Sequence, residues 1–164
     1  MILRKIDSKL SSMLSERLKD EKTAEYFYNS ATNWCRTMGY ETAAKYFEEE
    51  AKSELGHFQM LSDYITGFNV NPILSPLSSP QTFTDLWDII KKAYTMELGL
   101  MDAYNKVSDE AFDKDLNLFD FLKKMRDIQS ESVIEYANLY NQYEITVDAE
   151  DKMSIVYFTE TFMK

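Results

Sequence analysis

The chain has 164 residues, 45% of them hydrophobic, with 11 Tyr and 10 Phe, which excludes disorder and supplies the core of one domain spanning 1–164. Eighteen basic against 28 acidic residues leave a formal charge of −10, which disfavours nucleic acid as a partner and suits either simple solubility or the attraction of cations. A lone cysteine, Cys35, excludes an internal disulfide framework, and no apolar run is long enough for a membrane span or a signal peptide, so the expected location is cytoplasmic.

Only 4 Gly and 3 Pro interrupt the chain, so long helices are expected. The first runs from about 7 to 37, with Leu10, Leu14, Leu18, Glu21, Tyr28 and Cys35 at three- and four-residue steps and Gly39 as its stop. The second runs from about 42 to 66, with Phe47, Ala51, Glu54, Phe58, Leu61 and Ile65 on one side, and Gly67 ends it. The third covers about 84 to 108 through Ile90, Tyr94, Glu97, Met101 and Tyr104, with Thr84 or Thr82 as its cap. The fourth spans about 111 to 142 through Leu122, Met125, Gln129, Val133, Tyr136 and Tyr140, with a break near Asp115–Asn117. An apolar segment at 148–162 reads as a short fifth helix that docks on its own bundle or on a neighbouring subunit.

Residues 67–81 hold all three prolines and no periodicity, and form the one long loop. Fifteen extended residues reach about 50 Å, while the second helix is about 37 Å long. The loop can therefore cross the whole bundle and leave the second and third helices parallel. The fold class predicted is all-α, a four-helix bundle over about 7–142 with one long crossover and a short C-terminal helix. A slack loop between antiparallel helices is the alternative.

Under that topology Glu21, Glu54, Glu97 and Gln129 reach similar depths, four polar side chains from four helices near mid-bundle. Desolvating each carboxylate costs several kcal/mol unless protonation or a bound cation compensates. Glu54 and His57 lie three apart on one helix face and can reach one metal. His57 is the only histidine, and alone it would read as structural or solvated. Grouped with Glu21, Glu54 and Glu97 it reads as a ligand. Carboxylates with one imidazole suit iron(II) or manganese, with zinc as a competitor, and thiolate or structural-zinc sites are excluded.

These residues resemble the ferritins, in particular the bacterial non-haem type, over nearly the whole chain. The likeness is carried in order by Glu21, Tyr28 and the Trp34-Cys35 pair, by Glu54-x-x-His57, by Tyr94-Thr-Met-Glu97, and by Phe121-Leu122 followed by Gln129. The resemblance implies that Glu21, Glu54 and His57 bind a first iron, that Glu54 bridges, and that Glu97 binds a second. It implies that Gln129 contacts a metal-bound water or oxygen species, and that Tyr28 hydrogen-bonds a ligand or supplies an electron. A buried aromatic with a satisfied hydroxyl is the plainer reading of Tyr28.

The fourth helix reads Gln129-Ser-Glu131-Ser132, without a second Glu-x-x-His, which argues against a permanently held di-iron cofactor of the bacterioferritin type. Leu55 stands where bacterioferritins carry a haem-ligating Met, so no haem is expected. Ser53 and Ile128 replace acids used elsewhere for a third iron, so no third site is expected, and Glu131 and Glu135 read as solvated helix acids rather than accessory ligands. Mini-ferritins are a weaker match, since the first helix has no His. Tyr136, Tyr140 and Tyr143 read as packing or interface residues rather than redox relays, and the frequent Met as adaptable core. Asp109, Glu110, Asp113 and Asp115 read as a solvated turn or, by the resemblance, as the lining of a cation channel.

The expected function is ferroxidase chemistry with iron storage. Iron(II) and dioxygen or peroxide are the reactants, and the resemblance implies a homo-oligomeric shell of roughly 24 subunits. A ferritin-like di-iron oxidase without storage and a structural subunit are the alternatives.

Overall fold

The computed structural model describes residues 1–77 and 80–164. Five helices account for the described secondary structure: α1 (Ser8–Thr37), α2 (Glu41–Gly67), α3 (Leu86–Phe112), α4 (Leu116–Thr146) and α5 (Lys152–Phe162). Four of them begin at an aspartate, Asp7, Asp85, Asp115 and Asp151, whose side chain accepts hydrogen bonds from first-turn amides. A carboxylate there satisfies orphan donors and complements the positive end of the helix dipole. Thr82 and Thr84 are therefore not the cap of α3. Asp85 holds that place, and the Thr84 amide instead donates to Asp88.

The turn between α3 and α4 is also displaced from its predicted position. α3 continues to Phe112, so residues 109–112 belong to it, and α4 starts only at Leu116. The break expected inside the fourth helix is that turn itself, set by the Asp115 cap and by the packing of Phe112 on Phe119 at 5.2 Å. Gly39 has φ +81°, the left-handed conformation that ends α1. At the end of α2 Gly67 is the last helical residue, and the left-handed position falls on Asn69, with φ 61°.

Contacts along the helices establish their directions. Arg36 pairs with Glu48, and His57 lies opposite Glu21, so α1 and α2 are antiparallel. Lys9 pairs with Glu110, and Tyr104 reaches back to Glu21, so α1 and α3 are antiparallel as well. Hence α2 and α3 run parallel, and the chain between them must cross the bundle. It does so along α1: Asn69 donates to the Arg4 carbonyl, the Ile73 amide to Ser15, and Phe83 meets Phe27 at 5.3 Å. This settles the crossover against the slack-loop alternative, although Ser78 and Ser79 of the predicted 67–81 loop lie outside the described residues.

The core has an apolar layer at either end. Leu10, Leu14, Leu61, Ile65, Leu118 and Leu122 fill one, and Ala31, Cys35, Ala43, Phe47, Ile89 and Ile90 the other. α5 docks on its own bundle, with Phe158 buried against Tyr143 at 5.1 Å and Glu160 hydrogen-bonded to Thr42. Tyr140 and Tyr143 pack on Trp87, as their spacing predicted. No helix among the described residues is long and apolar enough to cross a membrane.

Candidate metal centre

Between the two apolar layers lies a buried polar one. Glu21 of α1, Glu54 of α2, Glu97 of α3 and Gln129 of α4 are all at most 3% exposed. Each takes a stripe position that its buried neighbours one turn away fill with Leu, Ala or Met, which is why the helices carry these groups inward.

Glu21, Glu54 and His57 each offer a ligand atom, and these atoms lie within 4.8 Å of one another. His57 Nδ1 is 3.2 Å from Glu54 Oε2 and 3.7 Å from Glu21 Oε2. Tyr104 donates to the other oxygen of Glu21 at 2.5 Å. Glu21 Oε2 is left buried with no hydrogen-bond partner among the described residues. An orphaned buried carboxylate oxygen is costly, and a cation at the focus of these three groups would satisfy it.

Glu97 stands apart from that trio. Tyr28 donates to its Oε1 and the Gln129 amide to its Oε2, and the same amide reaches the Glu97 carbonyl at 3.1 Å. Gln129 thus acts here by holding Glu97, and Tyr28 has its hydroxyl satisfied within the core.

The electrostatics follow from crowding. Burial would raise Glu21, but the neighbouring His57, Glu54 and Tyr104 outweigh it and hold its pKa below the ordinary value. Burial pushes Glu54 upward, and the Glu21 charge adds to this against the opposing effect of His57. For His57, burial favours the neutral ring, but Glu21 and Glu54 override it and raise the pKa to about 10. Glu97 is raised chiefly by burial, partly offset by Tyr28 and Gln129. The metal-free centre therefore carries protons at neutral pH, and a metal ion must displace them.

The family model described as a ferritin-like domain matches residues 11–146 of the chain. The chain belongs to the ferritin family. A bacterial non-heme ferritin of Staphylococcus aureus (strain USA300) is 28% identical over 134 residues, covering 77% of this chain and 81% of that protein. One from Escherichia coli O6:H1 is 26% identical over 112 residues, covering 67% and 68%. Among solved structures, an open-pore ferritin from the archaeon Archaeoglobus fulgidus superposes with a TM-score of 0.89 at 16% identity over 96% of both chains. Chlorobium tepidum ferritin gives 0.84 at 19% identity over 93% of both. At these identities the structural likeness speaks for the fold.

Two residues of this ferritin subunit escaped the sequence reading. Tyr104 was placed only as a stripe residue, yet it lies seven after Glu97 and points its hydroxyl at Glu21. Glu50, four before Glu54, is raised to about 7, first by burial and then by Glu135, and accepts from Tyr136 at 3.1 Å. Helical spacing from a candidate ligand is the signal that finds both. Glu131 is exposed, and Glu135, also exposed, accepts from Tyr46. In the α3–α4 turn Glu110 pairs with Lys9 and Lys114, and Asp115 with Arg4, which favours the solvated-turn reading there.

Proposed function

We propose that this ferritin subunit oxidises iron(II) at an intra-subunit di-iron centre and passes iron(III) into an oligomeric shell for storage. The observation that carries the reading is the trio Glu21, Glu54 and His57, assembled around an unsatisfied buried oxygen. Three ligands drawn from α1 and α2 meet at a depth where an apolar core would otherwise be expected.

Iron is the substrate here. The first iron(II) takes Glu21, Glu54 and His57, and its charge replaces the protons that the centre holds without it. Glu54 is shared with a second iron(II), for which Glu97 supplies the other carboxylate. Gln129 orients Glu97 and comes within reach of a water or oxygen species between the metals. Each iron gives up one electron, and dioxygen with two protons becomes hydrogen peroxide. The carboxylates then balance the larger charge of iron(III) until it leaves. No haem takes part, since the Leu55 side chain offers no donor atom. The chain acts as one domain over 1–164, in a cytoplasmic homo-oligomer of roughly 24 subunits.

Aerobic loading of the purified protein with iron(II), followed by size-exclusion chromatography with iron measured in each fraction, tests this. The expected result is hundreds of irons eluting with a large hollow particle. About two irons per chain on a small species would replace storage with a resident di-iron oxidase. No retained iron would leave only a structural subunit.

A further inference from the structure

Helix α3 brings two groups to the polar layer, and they serve different ligands. Glu97 faces the second half of the centre. Tyr104, two turns later on the same face, reaches across to Glu21 of α1. The Tyr104 side chain is fully buried. A buried hydroxyl needs an acceptor, whereas packing alone would accept Phe, which the same core uses at Phe47. The acceptor is one particular oxygen, Glu21 Oε1, at 2.5 Å. The other, Oε2, lies 3.7 Å from His57 Nδ1 and has no hydrogen-bond partner among the described residues. The carboxylate is thus divided, with one oxygen committed to α3 and one turned toward the trio.

Divalent ions differ in what they ask of such a group. Calcium gathers roughly six to eight oxygens at about 2.3–2.6 Å, often taking a carboxylate through both of its oxygens. Zinc takes about four ligands at about 2.0–2.2 Å, and one oxygen per carboxylate suffices. Imidazole suits iron(II) and zinc, while carboxylate and water suit manganese and calcium. A formal charge of −10 attracts divalent cations of every kind, so sorting them falls to the site itself.

We propose that Tyr104 is a specificity-determining residue of the centre. By occupying Glu21 Oε1 it makes Glu21 a one-oxygen ligand, which favours the smaller ions that accept imidazole, iron(II) and zinc, over calcium and manganese(II). This role rests on the reading of Glu21, Glu54 and His57 as metal ligands. Tyr104 acts through Glu21 and touches no metal itself, so it is a positioning residue. Its hydroxyl keeps its proton throughout, and no electron moves. Without that hydroxyl Glu21 is free to offer both oxygens. A large ion then gains a ligand atom, while a small one loses the support of the ligand it has.

Cobalt(II) stands in for iron(II) without being oxidised by oxygen, and its visible absorption is strong at low coordination number and weak at high. Metal-free wild type, Tyr104→Phe and Tyr136→Phe would each be titrated with cobalt(II), then with calcium and manganese(II) as competitors. Tyr104→Phe keeps the ring and removes only the hydroxyl. Tyr136 donates to Glu50, so its variant loses a buried hydroxyl elsewhere in the core. Wild type and Tyr136→Phe are expected to show intense cobalt absorption that resists both competitors. In Tyr104→Phe the absorption should weaken, and the preference for cobalt(II) over manganese(II) should fall by about tenfold or more. An unchanged spectrum and preference in Tyr104→Phe would overturn this role. So would an equal loss of affinity for all three ions, which is what a packing residue gives. Both outcomes leave the ligand reading of the trio standing. If the wild type binds no cobalt(II), that reading fails and the role of Tyr104 falls with it.

Discussion

Around Glu21, Glu54 and His57 three ligand groups already face one another and one oxygen has no partner, whereas Glu97, on the other side of the same polar layer, has both oxygens engaged by Tyr28 and Gln129. In the first half, protons occupy the place that a metal ion would take. The second half is complete without one. Hydrogen bonds to a charged carboxylate contribute about 1.5–3 kcal/mol each. Displacing even one of them from Glu97 weakens binding of a second iron by about tenfold or more. On the proposed reading, the contrast predicts that the centre fills in order, with the His57 side first, and that the second iron is held loosely enough to move on.

The largest effects should come from the first half. His57→Ala and Glu54→Ala are expected to slow stopped-flow iron(II) oxidation strongly, with helical circular dichroism preserved. Glu54→Ala should be the worse, because it removes the ligand that the proposal shares between both irons. Wild-type oxidation rates in His57→Ala would break the comparison at its root. Glu97→Ala should be selective. One iron(II) per chain still binds with wild-type affinity, and the second is lost, as read by anaerobic calorimetry. Loss of both would mean that the two halves are not separable.

Tyr104→Phe probes the support of a ligand rather than the ligand itself. Losing the hydroxyl that orients Glu21 should weaken the first iron by about 10- to 100-fold. An unchanged first affinity would make Tyr104 a packing residue only.

The smallest effect is that of pH on the metal-free fold. The folded chain raises His57 from 6.5 to about 10 and also raises Glu54 above its ordinary 4.5. Both groups bind protons more tightly folded than unfolded, so their contribution to stability falls as pH rises through that interval. The melting temperature of the metal-free protein should decline modestly between pH 6.5 and pH 9. Bound metal, which replaces those protons, should flatten or reverse the trend. A metal-free melting temperature that rises across that window would contradict the shared-proton account of the trio.

Much of this was legible in the sequence, for identifiable reasons. Glu21, Glu54, Glu97 and Gln129 interrupt apolar stripes, and a polar residue in a stripe is visible without coordinates. The crossover was legible because residues 67–81 were both long and proline-rich. The α3–α4 turn was misplaced by a few residues because Phe112 and Leu116 continue the helical apolar pattern on either side of it. Only the Asp115 cap decides where one helix ends and the next begins. The unequal engagement of the ligands was not legible at all. Whether the Tyr28 and Tyr104 hydroxyls fall on Glu97 or Glu21 depends on helix separation and rotation, which residue spacing does not encode.

Anaerobic titration of the metal-free wild type with iron(II), followed by calorimetry and by Mössbauer spectroscopy of the same samples, tests the ordered filling most directly. The account predicts two steps, a tight first iron with a nitrogen ligand and a second in an all-oxygen site at least about tenfold weaker. Two irons binding together with equal affinity, or a first iron without a nitrogen ligand, would contradict it.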